Sequence, residues 1–275
     1  MNAAAAGAIA GAYALSGPSL SYSTACSSAS VAIGEAYRAI QAGVIDVALA
    51  GGAEAPLNLG TLKAWEAMRT LAVEDASDPA RSCKPFAADR SGLVLGEGAA
   101  LLVLEDRQRA MIRLAPRYAE VIAYGLDTDY GHPVRPSVSG QARAMQRALA
   151  DAGLAPQAID YINAHGTGTL QNDAVETAAI KAVFGTHAAV LPVSSTKSMH
   201  GHLLGAAGAL ELAACCLALK HQAIPPTMHL DRPDPLCDLD YVANRGRWAV
   251  PLATIMSNAF AFGGTNAVLI IRKDE

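Results

Sequence analysis

From Tyr118 onward the hydrophobic period of the sequence switches repeatedly between strand and helix spacing, and this alternation constrains the fold more than any other feature. Short apolar runs, YAEVIAYG, IDYINAH and VLPVSST, read as strands. Each is followed by apolar residues at helical spacing, in GQARAMQRALADAG, NDAVETAAIKAVFG and the long stretch 201–222. Strands around YVAN, ATIMSNA and AVLIIRK close the series. Such alternation predicts an α/β fold with largely buried sheets.

The first part of the chain repeats the pattern less completely. Val31, Ile33, Tyr37 and Ile40 recur at helical spacing after Cys26 until Gly43, a C-cap. VIDVALAGGAE then reads as a short buried strand, and GEGAALLVLED as a glycine turn running into another apolar strand. Each part therefore holds a strand, a sharp turn of small residues, a helix, a strand, a glycine turn and a last apolar strand. The second part places two strand–helix units before its turn at STKSMHGHLLGAAGA, whereas the first has about one helix before Cys26. The expectation is two pseudo-symmetric halves, 1–115 and 116–275, with the first lacking its opening strand–helix units.

Composition narrows the function. A 275-residue chain that is 52% hydrophobic can bury a large core. Its net charge is −4 and its 21 Lys and Arg residues are scattered, so nothing suggests a nucleic-acid surface. Five cysteines without CxxC spacing fit a reducing compartment, the cytoplasm, better than a disulfide framework or a zinc site. The apolar N-terminus lacks the basic residues that open a secretory signal and reads as an amphipathic or buried helix. The apolar run 203–219 contains Glu211 and falls short of the ~20 residues of a membrane span, so no transmembrane segment is expected.

In SLSYSTACSSAS a strand-like run gives way to small residues and then to a helical pattern, with Cys26 at the corner. A cysteine is more often a buried small hydrophobe than a nucleophile. A helix N-terminus changes that balance, because its unpaired N–H groups and positive dipole end favour thiolate and can hold an oxyanion. Cys215 and Cys216 lie in an apolar helix and read as core, and Cys83 and Cys237 have no metal-ligand spacing. His165 ends the strand IDYINAH and opens the loop GTGT, where open α/β sheets bind ligands; Thr167 and Thr169 supply hydroxyls there. His202 reads as the start of the long helix, in the position that internal symmetry relates to Cys26. His200 is the competing candidate, and the His-x-His pair could also bind metal, although no further ligand completes such a set. Glu211, inside an apolar helix, needs a partner, and Lys197 is the obvious one.

Together TACSS, NAHGTGT, STKSMHGHLLGAAGALE and NAFAFGGTN resemble the β-ketoacyl synthases of the thiolase-like superfamily over essentially the whole chain, and KPFAADRSGLVLGEG is similar to that family too. The resemblance is closest to the acyl-carrier-protein-dependent enzymes of type II fatty acid or polyketide synthesis. It implies a layered αβαβα fold whose first half is incomplete. It implies further that Cys26 carries the acyl chain, that His165 and His202 stabilise the enolate left when a malonyl thioester loses carbon dioxide, and that Lys197 and Glu211 support that geometry. Backbone N–H groups of Cys26 and Phe262 would form the oxyanion hole. Thr167, Thr169, Phe260 and Phe262 would line the phosphopantetheine and acyl path, and Arg69 would dock an acyl carrier protein. No metal or other cofactor is called for. Ala261 stands where the family usually has glycine, which bears on the mobility of that gate.

Three alternatives compete: a polyketide-type ketosynthase, a non-condensing partner subunit or poorly active fragment, and a thiolase. Retention of Cys26 argues against the subunit, and the lack of a second cysteine in NAFAFGGTN argues against the thiolase. The resemblance implies a homodimer in which SLSYSTA pairs as an edge strand across a two-fold axis. Without its first strand–helix units, the chain alone is expected to be marginally stable and poorly active.

Overall fold

The computed structural model describes residues 3–274. The helices α1 (Ala4–Tyr13) and α2 (Ser28–Gln41) precede strand β1 (Val47–Glu54), α3 (Leu59–Ala67), β2 (Gly98–Glu105) and α4 (Arg107–Ile112). The second part comprises β3 (Glu120–Thr128), α5 (Val138–Ala152), β4 (Tyr161–Asn163), α6 (Asn172–Phe184), β5 (Val193–Ser194), α7 (Lys197–His200), α8 (Ala207–His221), β6 (Ala223–Ile224), β7 (Arg247–Trp248), β8 (Thr254–Phe260) and β9 (Thr265–Arg272). Five strands form the main sheet in the order β3-β9-β8-β4-β5. β4 runs parallel to β5 and β8, while β9 is antiparallel to β3 and β8.

The layers follow from which faces are apolar. β8 is buried along its whole length and β9 at six of its eight positions, so the sheet must be covered on both sides. α5 and α6 cover one face with a core that includes Met145, Ile180, Ile162 and Ile270. α2 and α8 cover the other through Ile33, Leu212, Leu269 and Ile255, and the antiparallel β1–β2 ladder lies over those helices. Gly34 lets α2 approach β3, since a Cβ there would stand 2.4 Å from the ring of Tyr124, a side chain with no room to retreat.

Several expectations fail for physical reasons. β1 is not a buried strand: Ala50 is its one buried position, and Val47, Leu49, Leu101 and Val103 project outward from the two-stranded ladder. α1 forms, but none of its residues is buried, and an all-apolar sequence gives it no amphipathic face. SLSYSTA, expected to pair with a second copy, makes no strand pairing within the single chain and is largely exposed. YVAN cannot be a strand because Val242 and Asn244 hold left-handed backbone, with φ of 48° and 58°. VLPVSST forms a strand only at Val193–Ser194, after a single bridge at Pro192, which has no N–H to extend a ladder. The helix predicted over 201–222 begins at Ala207, leaving His202 in a bridge with Leu95.

Leu204–His221 is long and apolar enough to cross a membrane, more so than its sequence suggested, but half of it is buried inside the protein. Its one carboxylate, Glu211, is fully buried there.

Candidate active site

The corner that carries Cys26 is built by its hydroxyl-rich flanks. A single 3-10 turn, Ala25–Ser27, leads into α2, and Ala25 takes a left-handed φ of 51° that non-glycine residues rarely adopt. Ser27 Oγ donates to the Thr24 carbonyl at 2.9 Å, Ser28 Oγ donates to the Ala25 carbonyl at 2.7 Å, and the Thr24 N–H donates to Ser28 Oγ at 2.9 Å. These short side chains satisfy the turn from within, which leaves the backbone N–H groups of Cys26 and Phe262 directed at the thiol.

Two histidines converge on that thiol from the second part of the chain. His202 Nε2 lies 3.0 Å from Cys26 Sγ. The GLVLGEG segment fixes His202 through its N–H on the Val94 carbonyl at 2.7 Å and its carbonyl on the Gly96 N–H at 2.9 Å. The His165 ring meets the His202 ring edge-on, with centroids 5.4 Å apart. His200, the competing candidate, turns away: its ring contacts the Gly201 carbonyl at 2.7 Å and Thr196 Oγ1 at 3.1 Å. The His-x-His pair therefore does not converge. Donor atoms of Cys26, His165 and His202 do lie within 4.8 Å of one another, a spacing one metal ion could bridge. The Lys197 ammonium, 3.5 Å from His165 Nδ1, opposes a dication at that point.

Lys197 and Glu211 sit behind the histidines rather than in the cavity. Both are fully buried and form an ion pair, and Lys197 Nζ also donates to the His165 carbonyl at 2.6 Å. Burial pushes the Glu211 carboxyl up to about 7 against the pull of the lysine. Burial, and then the Lys197 charge, holds both active-site histidines well below the usual imidazole range.

The thiol corrects an expectation. A helix N-terminus was expected to lower its pKa, yet burial raises it to about 11, outweighing the lysine and the two backbone N–H groups. At neutral pH the site therefore rests as a neutral thiol against neutral imidazoles. A raised thiol pKa contributes to stability below the ordinary thiol value, 9.0, and that contribution is lost as pH rises through about 11. Alkylation of Cys26 by iodoacetamide is accordingly expected to keep accelerating above pH 9. A plateau reached by pH 8 in stopped-time mass spectra would mean that the dipole wins.

A cavity of about 510 Å³ opens above these groups, and Cys26, His165, His202, Thr167, Thr169, Phe260, Phe262 and Arg69 all line it. The two threonine hydroxyls are 3.0 Å apart. Phe260, at the end of β8, packs 6.1 Å from the His165 ring, and Phe262 stacks on Trp65 at 6.1 Å. The turn's left-handed positions fall at Gly263 and Gly264, so Ala261 sits there without strain. A Cβ on Gly264 would stand 2.1 Å from the Asp129 carbonyl.

Sequence reading missed the groups that hold the His165 loop. Glu176, fully buried, accepts the N–H groups of His165 and Gly166, each at 2.8 Å. Asp173 accepts those of Phe86 at 2.8 Å and Gly168 at 3.1 Å. Buried Arg90 donates to the carbonyls of Thr169 and Leu170. The signal was present in NDAVET, where Asn172, Asp173, Glu176 and Thr177 occupy the inward face of a helix directly after GTGT.

A sheet sandwiched by helices, with a cysteine at one helix start and two histidines from the following half, defines a thiolase-like condensing scaffold. Residues 1–110 match the β-ketoacyl synthase N-terminal domain, and residues 118–231 match the C-terminal domain. The chain is 50% identical over 273 residues to nodulation protein E of Rhizobium leguminosarum bv. trifolii, covering 99% of this chain and 66% of that protein. It is 45% identical over 266 residues to 3-oxoacyl-[acyl-carrier-protein] synthase 2 of Coxiella burnetii, covering 95% of this chain and 63% of that one. A type II polyketide ketosynthase, solved with its acyl-carrier protein and bound to the hexaketide, superposes with a TM-score of 0.96 at 36% identity, over 99% of this chain and 67% of that one. The chain belongs to the β-ketoacyl synthase family. It spans just under two thirds of the length of these curated relatives.

Proposed function

We propose that this chain carries the acyl-transfer and condensing centre of a 3-oxoacyl-[acyl-carrier-protein] synthase. The observation that carries the reading is the 3.0 Å approach of His202 Nε2 to a buried Cys26 thiol that two backbone N–H groups also face. Cys26 Sγ attacks the carbonyl carbon of an acyl thioester while its proton passes to His202 Nε2. The carrier thiolate leaves, and His202 returns the proton to it, so one thioester replaces another of similar energy.

In the second half-reaction a malonyl thioester loses carbon dioxide, and the electron pair of that bond becomes an enolate. The two imidazoles donate hydrogen bonds to the enolate oxygen. The enolate carbon then attacks the acyl-Cys26 carbonyl, whose oxygen is held by the N–H groups of Cys26 and Phe262, and the Cys26 thiolate leaves. Tautomers support this division of labour. Lys197 beside His165 Nδ1 favours the proton on Nε2. His202 Nδ1 is buried without a partner, so nothing fixes its tautomer and Nε2 can accept from the thiol in one step and donate to the enolate in the next.

Two observations weigh on the alternatives. Among the described residues Cys26 is the cysteine that lines the cavity, which a thiolase with a second active cysteine would not match. The 50% identity to nodulation protein E, and the fold shared with polyketide ketosynthases, favour as a second reading a ketosynthase that serves a specialised or polyketide chain. In either reading the partner is an acyl carrier protein, in a cytoplasmic setting. The assembly is a homodimer joined through SLSYSTA, residues 19–25, which lead, largely exposed, into the Cys26 turn. A compact monomer by light scattering at micromolar concentration would contradict the dimer.

Incubation with an acyl carrier-protein thioester tests the proposal. Intact mass is expected to show one acyl adduct, mapped to Cys26 and absent from Cys26→Ala. An unmodified chain would count against every acyl-enzyme reading.

A further inference from the structure

The end of α4 exposes more apolar surface than its turn requires. Met111, Ile112 and Leu114 follow one another there, and Ile112 and Leu114 are 84% and 87% exposed. The helix closes in a common way: the Ala115 N–H donates to the Ala110 carbonyl at 2.9 Å, the Leu114 N–H donates to the Met111 carbonyl at 3.1 Å, and both alanines are buried. Such a turn normally gives its left-handed position to glycine, but here Leu114 holds it at a φ of 56°. A leucine there strains the backbone and faces water, so packing within this chain does not account for it.

Arginines surround this turn, with most of their counter-charges beneath them. Arg113 donates to the Glu105 carboxylate through Nε at 3.0 Å and Nη2 at 2.6 Å, and Arg109 approaches the same group at 3.5 Å. The side chains of Arg109 and Arg113 are 56% and 57% exposed, whereas that of Glu105 is 8% exposed. Arg107 and Arg117 reach Asp274, 14% exposed, at 3.7 and 2.6 Å. Asp46, 3.1 Å from Arg109, and the capping residue Asp106 are the exposed acids of the group. Exposed Lys220 lies 4.8 Å over the ring of Tyr118, which is itself half exposed. In a chain of net charge −4, cations thus form most of the outer layer here.

We propose that the α4 turn seats this protein peripherally on an anionic lipid surface, with Met111, Ile112 and Leu114 inserted and Arg107, Arg109, Arg113 and Arg117 at the lipid phosphates. An apolar tip inside a cationic collar matches the boundary between headgroups and acyl chains: the tip enters, and the guanidinium groups and the Tyr118 ring stay at headgroup level. Planar guanidinium groups match phosphate oxygens bidentately. A protein partner fits less well, because a stable protein interface takes roughly 20–30 residues a side and this is one tight turn. The contact is independent of the acyl-transfer chemistry at Cys26.

Flotation of the full chain with vesicles tests this. Vesicles of one part phosphatidylglycerol to three parts phosphatidylcholine are expected to carry about tenfold more protein than phosphatidylcholine alone, and the difference should shrink as salt is raised. Leu114→Gly should bind the anionic vesicles about tenfold less well while melting at the same temperature as wild type or above it, since the strained side chain is gone. A leucine that served the fold would show the reverse, a lower melt with binding unchanged. Ile112→Glu, at a side chain exposed in the free protein, should abolish flotation and leave the melt as it was. Arg109→Gln/Arg113→Gln should bring the two vesicle types together. Leu101→Ser/Val103→Ser, on the exposed face of the β1–β2 ladder, should float like wild type. Equal binding to both vesicle types by wild type, or flotation lost in the ladder variant and kept in Leu114→Gly and Ile112→Glu, would overturn the proposal.

Discussion

Lys197→Met is expected to destabilise the protein by about 3–5 kcal/mol in chemical denaturation, because it strands a charge in a place water cannot reach. Both members of the Lys197–Glu211 pair are fully buried, and the lysine also donates to the His165 carbonyl. The cost depends on pH. Glu211 already titrates near 7, and loss of the lysine raises it further, so at pH 6 the carboxyl takes a proton and the penalty is smaller than at pH 9. Lys197→Met/Glu211→Leu should recover most of the stability, since two apolar groups replace two charges. It should not recover turnover. Lys197 lowers the pKa of Cys26, His165 and His202 alike, so without it the thiol is harder to ionise and the imidazoles charge at higher pH. A double variant as active as wild type would reduce the pair to a structural fixture.

His165→Ala and His202→Ala are expected to cut malonyl decarboxylation by roughly 10²–10³-fold each, the usual scale for removing one donor to a developing oxyanion. Both should still accept an acyl group on Cys26, with His202→Ala slower because the thiol then loses its 3.0 Å proton acceptor. His200→Ala should change neither step much, since its ring is engaged with Gly201 and Thr196. Measuring released carbon dioxide and acyl-enzyme mass on the same preparations separates the two half-reactions. A loss in the His200 variant matching the other two would remove the distinction on which the assignment of roles depends.

How much of this was legible in the sequence varies with the physics behind each feature. Periodicity placed β3, α5, β4, α6, β8 and β9, because each buries a face whose spacing is written in consecutive residues. Burial of Glu211 and its need for a cation followed from one carboxylate in an apolar helix. The thiol pKa was not legible: the helix start is a local signal that favours thiolate, while burial depends on His202 and Phe262, far away in the chain, closing over Cys26. Irregular segments failed for a similar reason. The left-handed backbone at Val242 and Asn244 is imposed by contacts such as the Asn244 N–H on the Thr227 carbonyl, which no strand propensity reports. Apolar β1 reads as buried because its composition says so, yet its outer face meets no layer among the described residues. Glu176, in contrast, was readable and was overlooked: a carboxylate on the inward face of an amphipathic helix calls for donors, and the His165–Gly166 backbone supplies them.

The central claim is that Cys26 holds an acyl group which a carbon nucleophile, generated from malonate beside His165 and His202, then removes. A single-turnover chase measures this directly. The chain is acylated, freed of excess donor and mixed with a malonyl carrier-protein thioester labelled with ¹³C, and protein and product masses are followed together. The account predicts that the acyl adduct disappears from Cys26 as a 3-oxoacyl thioester appears, longer by the two labelled carbons that remain after one carbon dioxide is lost. Disappearance of the adduct with only the free acid formed, or an adduct that persists while malonate is decarboxylated, would contradict it.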